Sequence, residues 1–248
     1  MAERDRARGL MPLFALWSAP RARSTAFFRS MLERGDLLAL HEPFCNVMDH
    51  GETDVDGRRV TSTSELRGRL LDLASDRAVF FKDTTDRRHE SVLADDRFLS
   101  EVRHAFLIRA PEEVAASFFA VRGPDMRCEE IGIEALHELH GAVRDAGGHP
   151  PVVVDSDDLV GDAAGTVAAF CAAIGLPYLP EALSWDAEDR SEWRRTAEWH
   201  ADVSASTGFR QDASRYDVSV ETSDELAAWA SHHRPFYDAL RAERLRIS

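Results

Sequence analysis

The sequence predicts one α/β domain in which helices flank a mostly parallel central sheet. Two patterns indicate this fold class: apolar runs of strand length, and segments with apolar residues at helical spacing that alternate with those runs. A chain of 248 residues is long enough for one sizeable core, and no repeat or linker divides it. We therefore expect a single domain over residues 1–248, with a polar leader (1–11), a core (12–175) and a C-terminal region of helices and loops (176–248).

Each predicted strand is an apolar run that ends in polar residues. In chain order the five runs are 13–17, 37–40, 78–81, 105–108 and 151–154. Helical spacing predicts helices between them, including 64–75 and 129–146, and a last helix at 223–241 that Pro235 would kink. Residues 45–63 are polar, rich in turn residues and without periodicity, so we expect a loop there, either a cover for a substrate pocket or plain surface. Residues 204–215 are also expected to form a loop.

Charge and cysteine content narrow the class of function. The formal net charge of −14 argues against nucleic acid or an anionic membrane surface as a partner. The chain has an odd number of cysteines, and they are widely spaced: Cys45, Cys128 and Cys171. This content fits a protein of a reducing compartment that has no structural zinc site. No signal core is present, and no run approaches the about 18 apolar residues of a membrane span, so we expect a cytoplasmic protein. Lys82 is the one lysine in an arginine-rich chain, a bias that suits a bacterial origin.

A strand, a polar loop and a helix follow one another after residue 12. This arrangement presents backbone N–H groups and the positive end of a helix to an anion. Ser24 and Thr25 can cap the helix and donate hydroxyl hydrogen bonds, and Arg21 and Arg23 supply forked donors that suit phosphate or sulfate. The sequence therefore predicts an anion cradle; the alternative is a capped surface helix beside two solvated arginines.

Polar residues also follow the third and fourth predicted strands, where open α/β sheets bind ligands. Lys82 ends the third strand, and its alternative role is a side chain that extends from a strand end into water. Arg109 ends the fourth strand, Pro111 starts a helix, and Ser117 lies eight residues after Arg109. Alone, Arg109 and Ser117 would be interpreted as structural; beside the cradle they indicate a second anion-binding element.

Histidines and tryptophans elsewhere carry weaker signals. His137 and His140 could share a helix face, but no carboxylate pattern beside them indicates a metal, so we expect solvated side chains. Three tryptophans punctuate the stretch after residue 184, where they are either packing residues or a platform for a base; these are Trp185, Trp193 and Trp199.

The two motifs resemble the signatures of sulfotransferases that use 3′-phosphoadenosine 5′-phosphosulfate (PAPS). Residues 20–25, PRARST, are similar to the 5′-phosphosulfate loop P-[KR]-[ST]-G-[ST]-T and closer to its arginine-bearing form P-R-S-x-S-T. Residues 107–117, LIRAPEEVAAS, are similar to the 3′-phosphate signature R-x-P-x-x-x-x-x-S. The chain departs from the family at Arg23, which replaces glycine, and it lacks the basic R-K-G-x-x-G-D-W-K loop, for which 208–210 is a possible substitute.

The resemblance covers most of residues 12–175. It implies a P-loop-like fold, PAPS as the cofactor, 3′-phosphoadenosine 5′-phosphate as its product, and no metal. The implied cofactor-binding residues are Arg21, Ala22, Arg23, Ser24 and Thr25 for the 5′-phosphosulfate, and Arg109 and Ser117 for the 3′-phosphate.

The resemblance also implies a catalytic base. The family's tyrosylprotein and trehalose sulfotransferases carry a glutamate just after the second strand, which corresponds to Glu42. Partial desolvation beside Pro43 and Phe44 would raise its pKa toward a useful value. His41 is the alternative because histidine accepts protons near neutrality, and Lys82 is expected to face the substrate or the transferring sulfuryl group.

The implied reaction is transfer of a sulfuryl group to a hydroxyl or amine of a small molecule, a specialised metabolite that arrives free, on a carrier protein or with a partner subunit. One alternative is a non-catalytic nucleotide-binding or partner subunit, since Arg23 replaces glycine. A small-molecule kinase is less expected because the loop lacks the glycine and lysine of G-x-x-x-x-G-K-[ST].

Overall fold

A computed structural model describes residues 11–210 and 216–247 of the chain and contains seven strands in that part. The strands are β1 (Leu13–Ser18), β2 (Leu38–His41), β3 (Thr53–Val55), β4 (Arg58–Val60), β5 (Val79–Thr84), β6 (Arg103–Ile108) and β7 (Val152–Asp155). The described helices are α1 (Ser24–Glu33), α2 (Pro43–His50), α3 (Thr63–Leu73), α4 (Glu90–Leu93), α5 (Asp96–Glu101), α6 (Pro111–Arg122), α7 (Ile133–Asp145), α8 (Ser156–Gly161), α9 (Ala163–Ile174), α10 (Ala201–Ser204) and α11 (Asp224–Ala242). Short 3₁₀ turns lie at Gly123–Asp125, Cys128–Ile131, Pro180–Leu183 and Ser191–Trp199.

β1 lies at the centre of a five-stranded sheet, and the chain adds strands first on one side of it and then on the other. The order is β2-β5-β1-β6-β7, and every pairing is parallel. All six residues of β1 are buried, and consecutive side chains of a strand point to opposite faces, so both faces are covered. The predicted α/β fold with its five strands is therefore confirmed. The change of side occurs beside the C-terminal end of β1, where sheets of this kind bind ligands.

The loop predicted over residues 45–63 is wrong. Helix α2 begins at Pro43, and an antiparallel hairpin of β3 and β4 follows it. Pro43 suits the first turn of a helix, and Phe44 becomes part of the core. The hairpin turns at Asp56 and Gly57, both with positive φ, which is the aspartate–glycine signal for a two-residue turn.

The helix predicted over residues 129–146 is divided at Gly132. This glycine has φ +76°, and a Cβ there would lie 2.6 Å from the carbonyl oxygen of Thr85, so another residue type would displace the backbone. His140, expected to be solvated, is buried because it lies on the core face of α7, where its ring packs edge-on against Phe106 at 5.1 Å.

The last helix, α11, packs on α6 and α7 and continues through Pro235. Its predicted apolar side is buried at four positions, namely Leu226, Ala230, Tyr237 and Leu240. No helix in the described ranges is long and apolar enough to cross a membrane. Most of the predicted leader (1–10) and part of the predicted loop at 204–215 (211–215) lie outside the described residues.

Candidate active site

A cavity of about 480 Å³ opens at the C-terminal ends of β1, β2, β5 and β6. The loop between β1 and α1 forms one wall, and Glu42 and Lys82 lie on its floor side by side. Six of the predicted cofactor-binding residues also line the cavity, namely Arg21, Arg23, Ser24, Thr25, Arg109 and Ser117. The sheet topology thus gathers residues that are up to 96 positions apart in the sequence.

The loop before α1 owes its shape to two arginines in the left-handed backbone region. Arg21 has φ +58° and Arg23 has φ +64°, a conformation that glycine adopts most easily. Ala22 is completely buried beneath the loop. Because α1 begins at Ser24, its first backbone N–H groups have no acceptor within the helix, as an anion cradle requires.

The predicted side-chain cap of α1 is wrong. Arg23 occupies the capping position and forms no side-chain cap, while Ser24 is already the first helical residue. The hydroxyl of Thr25 instead lies 3.0 Å from Nδ1 of His200. Ser24 and Thr25 therefore line the cavity in the first turn of α1 without capping the helix.

Arg21 connects the two predicted motifs. Its Nε donates to Ser117 Oγ at 3.0 Å, and its backbone carbonyl accepts from Nη1 of Arg109 at 2.8 Å. Nη1 of Arg21 donates to the carbonyl oxygen of Trp199 at 2.7 Å. Burial lowers the pKa of the Arg21 guanidinium, which nonetheless remains charged. The loop and the start of α6 consequently form one arginine-lined wall.

Arg23 points along the same wall towards β7. Its Nη1 donates to Ser156 Oγ at 3.0 Å and lies 3.3 Å from a carboxylate oxygen of Asp157. Its Nη2 lies 4.0 Å from a carboxylate oxygen of Glu113. The arginine that replaces the family's glycine thus keeps a glycine-like torsion and gains three polar neighbours.

Glu42 and Lys82 form an ion pair on the cavity floor. In the parallel register His41 lies opposite Lys82, so Glu42 follows directly at the end of β2. The Glu42 backbone N–H donates to the Lys82 carbonyl at 2.7 Å, and Lys82 Nζ donates to the Glu42 carboxylate. Lys82 is 1% exposed, so it does not extend into water. This arrangement holds a carboxylate towards the cavity with a buried cation behind it.

His41 lies behind this pair and is not among the residues that line the cavity. Its Nδ1 is 3.9 Å from a Glu42 carboxylate oxygen, and its ring packs on those of Phe28 and His200. Burial, and to a lesser degree the charge of Lys82, holds the pKa of His41 well below its ordinary value. A lowered pKa makes His41 a weaker proton acceptor than an exposed histidine.

The neighbouring Asp83 serves the structure rather than the cavity. Its carboxylate accepts from the backbone N–H of Phe44 at 2.7 Å and of Cys45 at 3.1 Å, which fixes the start of α2. Burial raises the pKa of Asp83 to about 7. Lys82 thus lies on the floor of the cavity, whereas the adjacent Asp83 stabilises the start of α2.

His200 was not predicted as a site residue, and Trp199 was expected either to pack or to provide a platform for a base. His200 Nδ1 faces Thr25 Oγ1 at 3.0 Å, and its Nε2 faces Thr196 Oγ1 at 3.1 Å. Burial lowers the pKa of His200 far below its ordinary value, so its ring is neutral. Trp199 lines the cavity and packs on Phe118 at 5.4 Å. The tryptophans that precede His200 were the available signal, but Thr25, to which His200 bonds, is 175 positions away.

Further charged residues line the cavity. The sequence did not single out the charged residues there, which include Asp49, Asp86, Arg87, Arg122, Glu130 and Arg195. Asp86 accepts from Thr84 Oγ1 at 2.6 Å, and burial raises its pKa. Arg87 pairs with Asp49 at 2.9 Å.

Three groups of side chains in the described residues have metal-ligand spacing. One of them, His41, Glu42 and His200, adjoins the cavity. Lys82 donates to Glu42 inside this group, and a fixed ammonium there opposes a divalent cation. The other two groups are Cys45, Asp83 and His89, and Cys128, His232 and His233. His233 already uses both ring nitrogens, one with the Glu134 N–H and one with the Cys128 carbonyl.

The site combines a parallel α/β sheet, a helix N-terminus flanked by arginines, an arginine–serine pair and a carboxylate on the cavity floor, and this arrangement suits an anionic ligand. A sequence model of the sulfotransferase domain matches residues 11–244, and the chain belongs to that family. The predicted family is therefore confirmed.

Two curated proteins of Arabidopsis thaliana are also similar to the chain. The branched-chain-amino-acid aminotransferase-like proteins 2 and 1 are 25% and 28% identical over 213 and 202 residues, which are 80% and 78% of this chain. The matched part is 36% of each relative's length. Among solved structures, a sulfotransferase from Alicyclobacillus acidocaldarius shares the fold at 11% identity, with a TM-score of 0.52 over 94% of this chain and 97% of that chain.

Proposed function

We propose that the protein transfers a sulfuryl group from PAPS to a hydroxyl or amine of a small-molecule acceptor. The observation that carries the proposal is the convergence of Arg21, Arg109 and Ser117 on one wall of the cavity. Arg21 bonds to Ser117 through its side chain and to Arg109 through its backbone. The loop and the start of α6 are thereby held together, so a ligand with two separate anionic groups could bind to both at once.

The cavity fits this donor in volume and chemistry. A volume of about 480 Å³ lies in the range of nucleotide and small-ligand pockets. The N-terminus of α1 and the arginines beside it provide donors for a 5′-phosphosulfate, while Arg109 and Ser117 provide them for a 3′-phosphate. Trp199, packed on Phe118, offers an aromatic surface for the base.

The chain's own groups account for the remaining requirements of the reaction. Bound PAPS would supply a sulfuryl group whose bond to the 5′-phosphate oxygen breaks, with the electron pair left on that oxygen. The loop N–H groups and Arg21 stabilise the charge that develops there. Glu42 accepts the proton of the acceptor's O–H or N–H while the acceptor atom bonds to sulfur. Lys82 donates to the Glu42 carboxylate and orients it towards the acceptor.

The wider role is part of the same proposal. We infer that the acceptor is a specialised metabolite of a bacterial cytoplasm, delivered free or on a carrier protein. A non-catalytic nucleotide-binding subunit is the second candidate, and the replacement of glycine by Arg23 favours it. However, Arg23 has a glycine-like torsion that keeps the shape of the loop, so its presence is a weak argument against catalysis.

The first experiment measures ligand binding by calorimetry. Wild-type protein is titrated with 3′-phosphoadenosine 5′-phosphate, with AMP and with ATP and magnesium, and the same series is repeated with Arg109→Ala. We expect selective binding of the 3′-phosphorylated ligand. Arg109→Ala should weaken it about 10- to 100-fold, because a charge-assisted contact to phosphate is lost.

Arg97→Ala is the matched control, since Arg97 is exposed and pairs with Glu101 outside the cavity. It should leave binding unchanged. Selective binding of ATP with magnesium would replace the proposal with a kinase, and equal binding by Arg109→Ala and wild type would show that the phosphate site lies elsewhere.

A further inference from the structure

Glu113 lies between the two residues that we assign to the 3′-phosphate. Glu113 and Ser117 are four residues apart on one face of α6, and Arg109 precedes that helix at the tip of β6. A phosphate held by both Arg109 and Ser117 would lie over the turn that carries Glu113. The structure therefore places a carboxylate against the arginine that is expected to bind the 3′-phosphate.

The Glu113 carboxylate already occupies the arginines of the site. Its Oε2 accepts from Arg109 Nε at 2.6 Å and lies 4.0 Å from Nη2 of Arg23. The Glu113 side chain is 45% exposed, and its ion-pair partners among the described residues are Arg109 and Arg23, so it can rotate into water without breaking a further ion pair. Its ionised form also suits the first turn of α6, near the positive helix end.

The other two carboxylates at this wall differ from Glu113 in position. Asp202 lies 3.7 Å from Arg21 on a side chain that is 87% exposed, and Asp157 lies beside Arg23 at the end of β7. Neither lies on the face of α6 between Arg109 and Ser117. Glu113 alone of the three lies between the two proposed phosphate ligands.

We propose that Glu113 is a specificity-determining residue of the donor site: its carboxylate takes the place of the 3′-phosphate in the free protein and must leave when that phosphate binds. The inference rests on the proposed function, because it assumes a 3′-phosphorylated donor. While the site is free, the carboxylate holds the arginines in place and balances part of their positive charge. It also lowers the affinity for the donor, because each binding event must break the Arg109–Glu113 pair and move a negative charge away from a phosphate.

The test compares Glu113→Gln with wild type, using calorimetric titration with 3′-phosphoadenosine 5′-phosphate and with AMP. Glutamine keeps the size of the side chain and removes its charge. We expect Glu113→Gln to bind the 3′-phosphorylated ligand about 10-fold more tightly, while the affinity for AMP changes less than about 3-fold. The ratio of the two affinities is the decisive quantity, because it isolates the 3′-phosphate.

Glu112→Gln is the matched control. Glu112 precedes Glu113 in the same helical turn, but its carboxylate pairs with Arg234 of α11 instead of Arg109. Glu112→Gln removes the same charge from the protein but at a position that does not contact Arg109. Neither affinity should therefore change by more than about 2-fold. Thermal melts of both variants verify that they are folded.

Three outcomes would overturn the inference. An unchanged affinity ratio in Glu113→Gln would mean that the carboxylate does not compete with the 3′-phosphate. Weaker binding of the 3′-phosphorylated ligand would mean that Glu113 holds Arg109 in its binding conformation. Binding of neither ligand by wild type would refute the proposed function itself and this inference with it, and is thereby distinguished from the first two results.

Discussion

Glu42 occupies a backbone conformation that few residues of its type adopt. Its φ of +47° lies in the left-handed region, which costs a residue with a Cβ about 1–2 kcal/mol. The bond from its N–H to the Lys82 carbonyl and the ion pair with Lys82 keep it there. Strain of this kind collects at functional sites because the surroundings over-determine it. At the scale of one residue, the torsion thus supports the role proposed for Glu42.

Replacement of Glu42 by glutamine should separate catalysis from binding. The glutamine side chain can still accept from Lys82 but cannot take a proton from the acceptor, so the sulfuryl-transfer rate should fall about 10²- to 10⁴-fold. The affinity for 3′-phosphoadenosine 5′-phosphate should stay within about 3-fold, because Glu42 does not belong to the donor wall. The measurement is transfer of radiolabelled sulfate from PAPS to the first acceptor that responds in a panel.

Glu101→Gln serves as the control, since Glu101 pairs with Arg97 away from the cavity. A Glu42→Gln variant that retains the wild-type rate would exclude Glu42 as the base.

At the scale of one element, the left-handed conformation in the loop before α1 can be tested by substitutions at Arg23. At Arg23, with φ +64°, Arg23→Gly and Arg23→Ala remove the same guanidinium contacts and differ only in the Cβ. Arg23→Gly should be more stable than Arg23→Ala by about 1 kcal/mol, because alanine pays the left-handed penalty. Urea denaturation of the two variants measures the difference.

The same exchange inside a regular helix gives the opposite sign. Ala142→Gly in α7 should lower the free energy of unfolding by about 1 kcal/mol, since glycine is a poor helix former. If Arg23→Ala equals or exceeds Arg23→Gly in stability, the loop does not hold a left-handed residue at this position.

Local patterns were sufficient for some elements and not for others. The strands were predictable because each is a short apolar run, and the parallel register then brings Glu42 beside Lys82. Helix α2 was not, because its start depends on Asp83, a residue of a different strand. The bond from Arg21 to Ser117 and the position of His200 beside Thr25 likewise depend on tertiary packing, which no local spacing encodes. The hairpin turn at Asp56 was encoded locally and overlooked.

Stability of the whole molecule should depend on pH through Asp83. Its pKa rises from 3.8 to about 7 on burial, so between these values the folded protein binds more protons than the unfolded chain. Stability from this group is therefore present at low pH and is lost as the pH rises through that window. An asparagine side chain at this position does not titrate. The destabilisation caused by Asp83→Asn should accordingly be largest near pH 4.5 and shrink towards pH 7, by at most about 1.4 kcal/mol per pH unit.

Urea denaturation of wild type and Asp83→Asn at several pH values measures this difference, and the buried histidines cancel because both proteins carry them. Asp76→Asn, at an exposed position after α3, should show no such trend. A destabilisation by Asp83→Asn that is constant between pH 4.5 and 7 would show that the carboxyl group keeps its ordinary titration when buried.

The pairing of each donor-site arginine with a carboxylate has a kinetic consequence for the whole molecule. Arg21, Arg23 and Arg109 face Asp202, Asp157 and Glu113, so the site projects little positive field into solution. Around it the protein carries a formal net charge of −14. Electrostatic steering, which accelerates the capture of anions by a basic cleft, is therefore weak here, and a highly charged donor approaches against a repulsive field. Dissolved salt, which slows encounters driven by attraction, would ease this encounter by screening the repulsion.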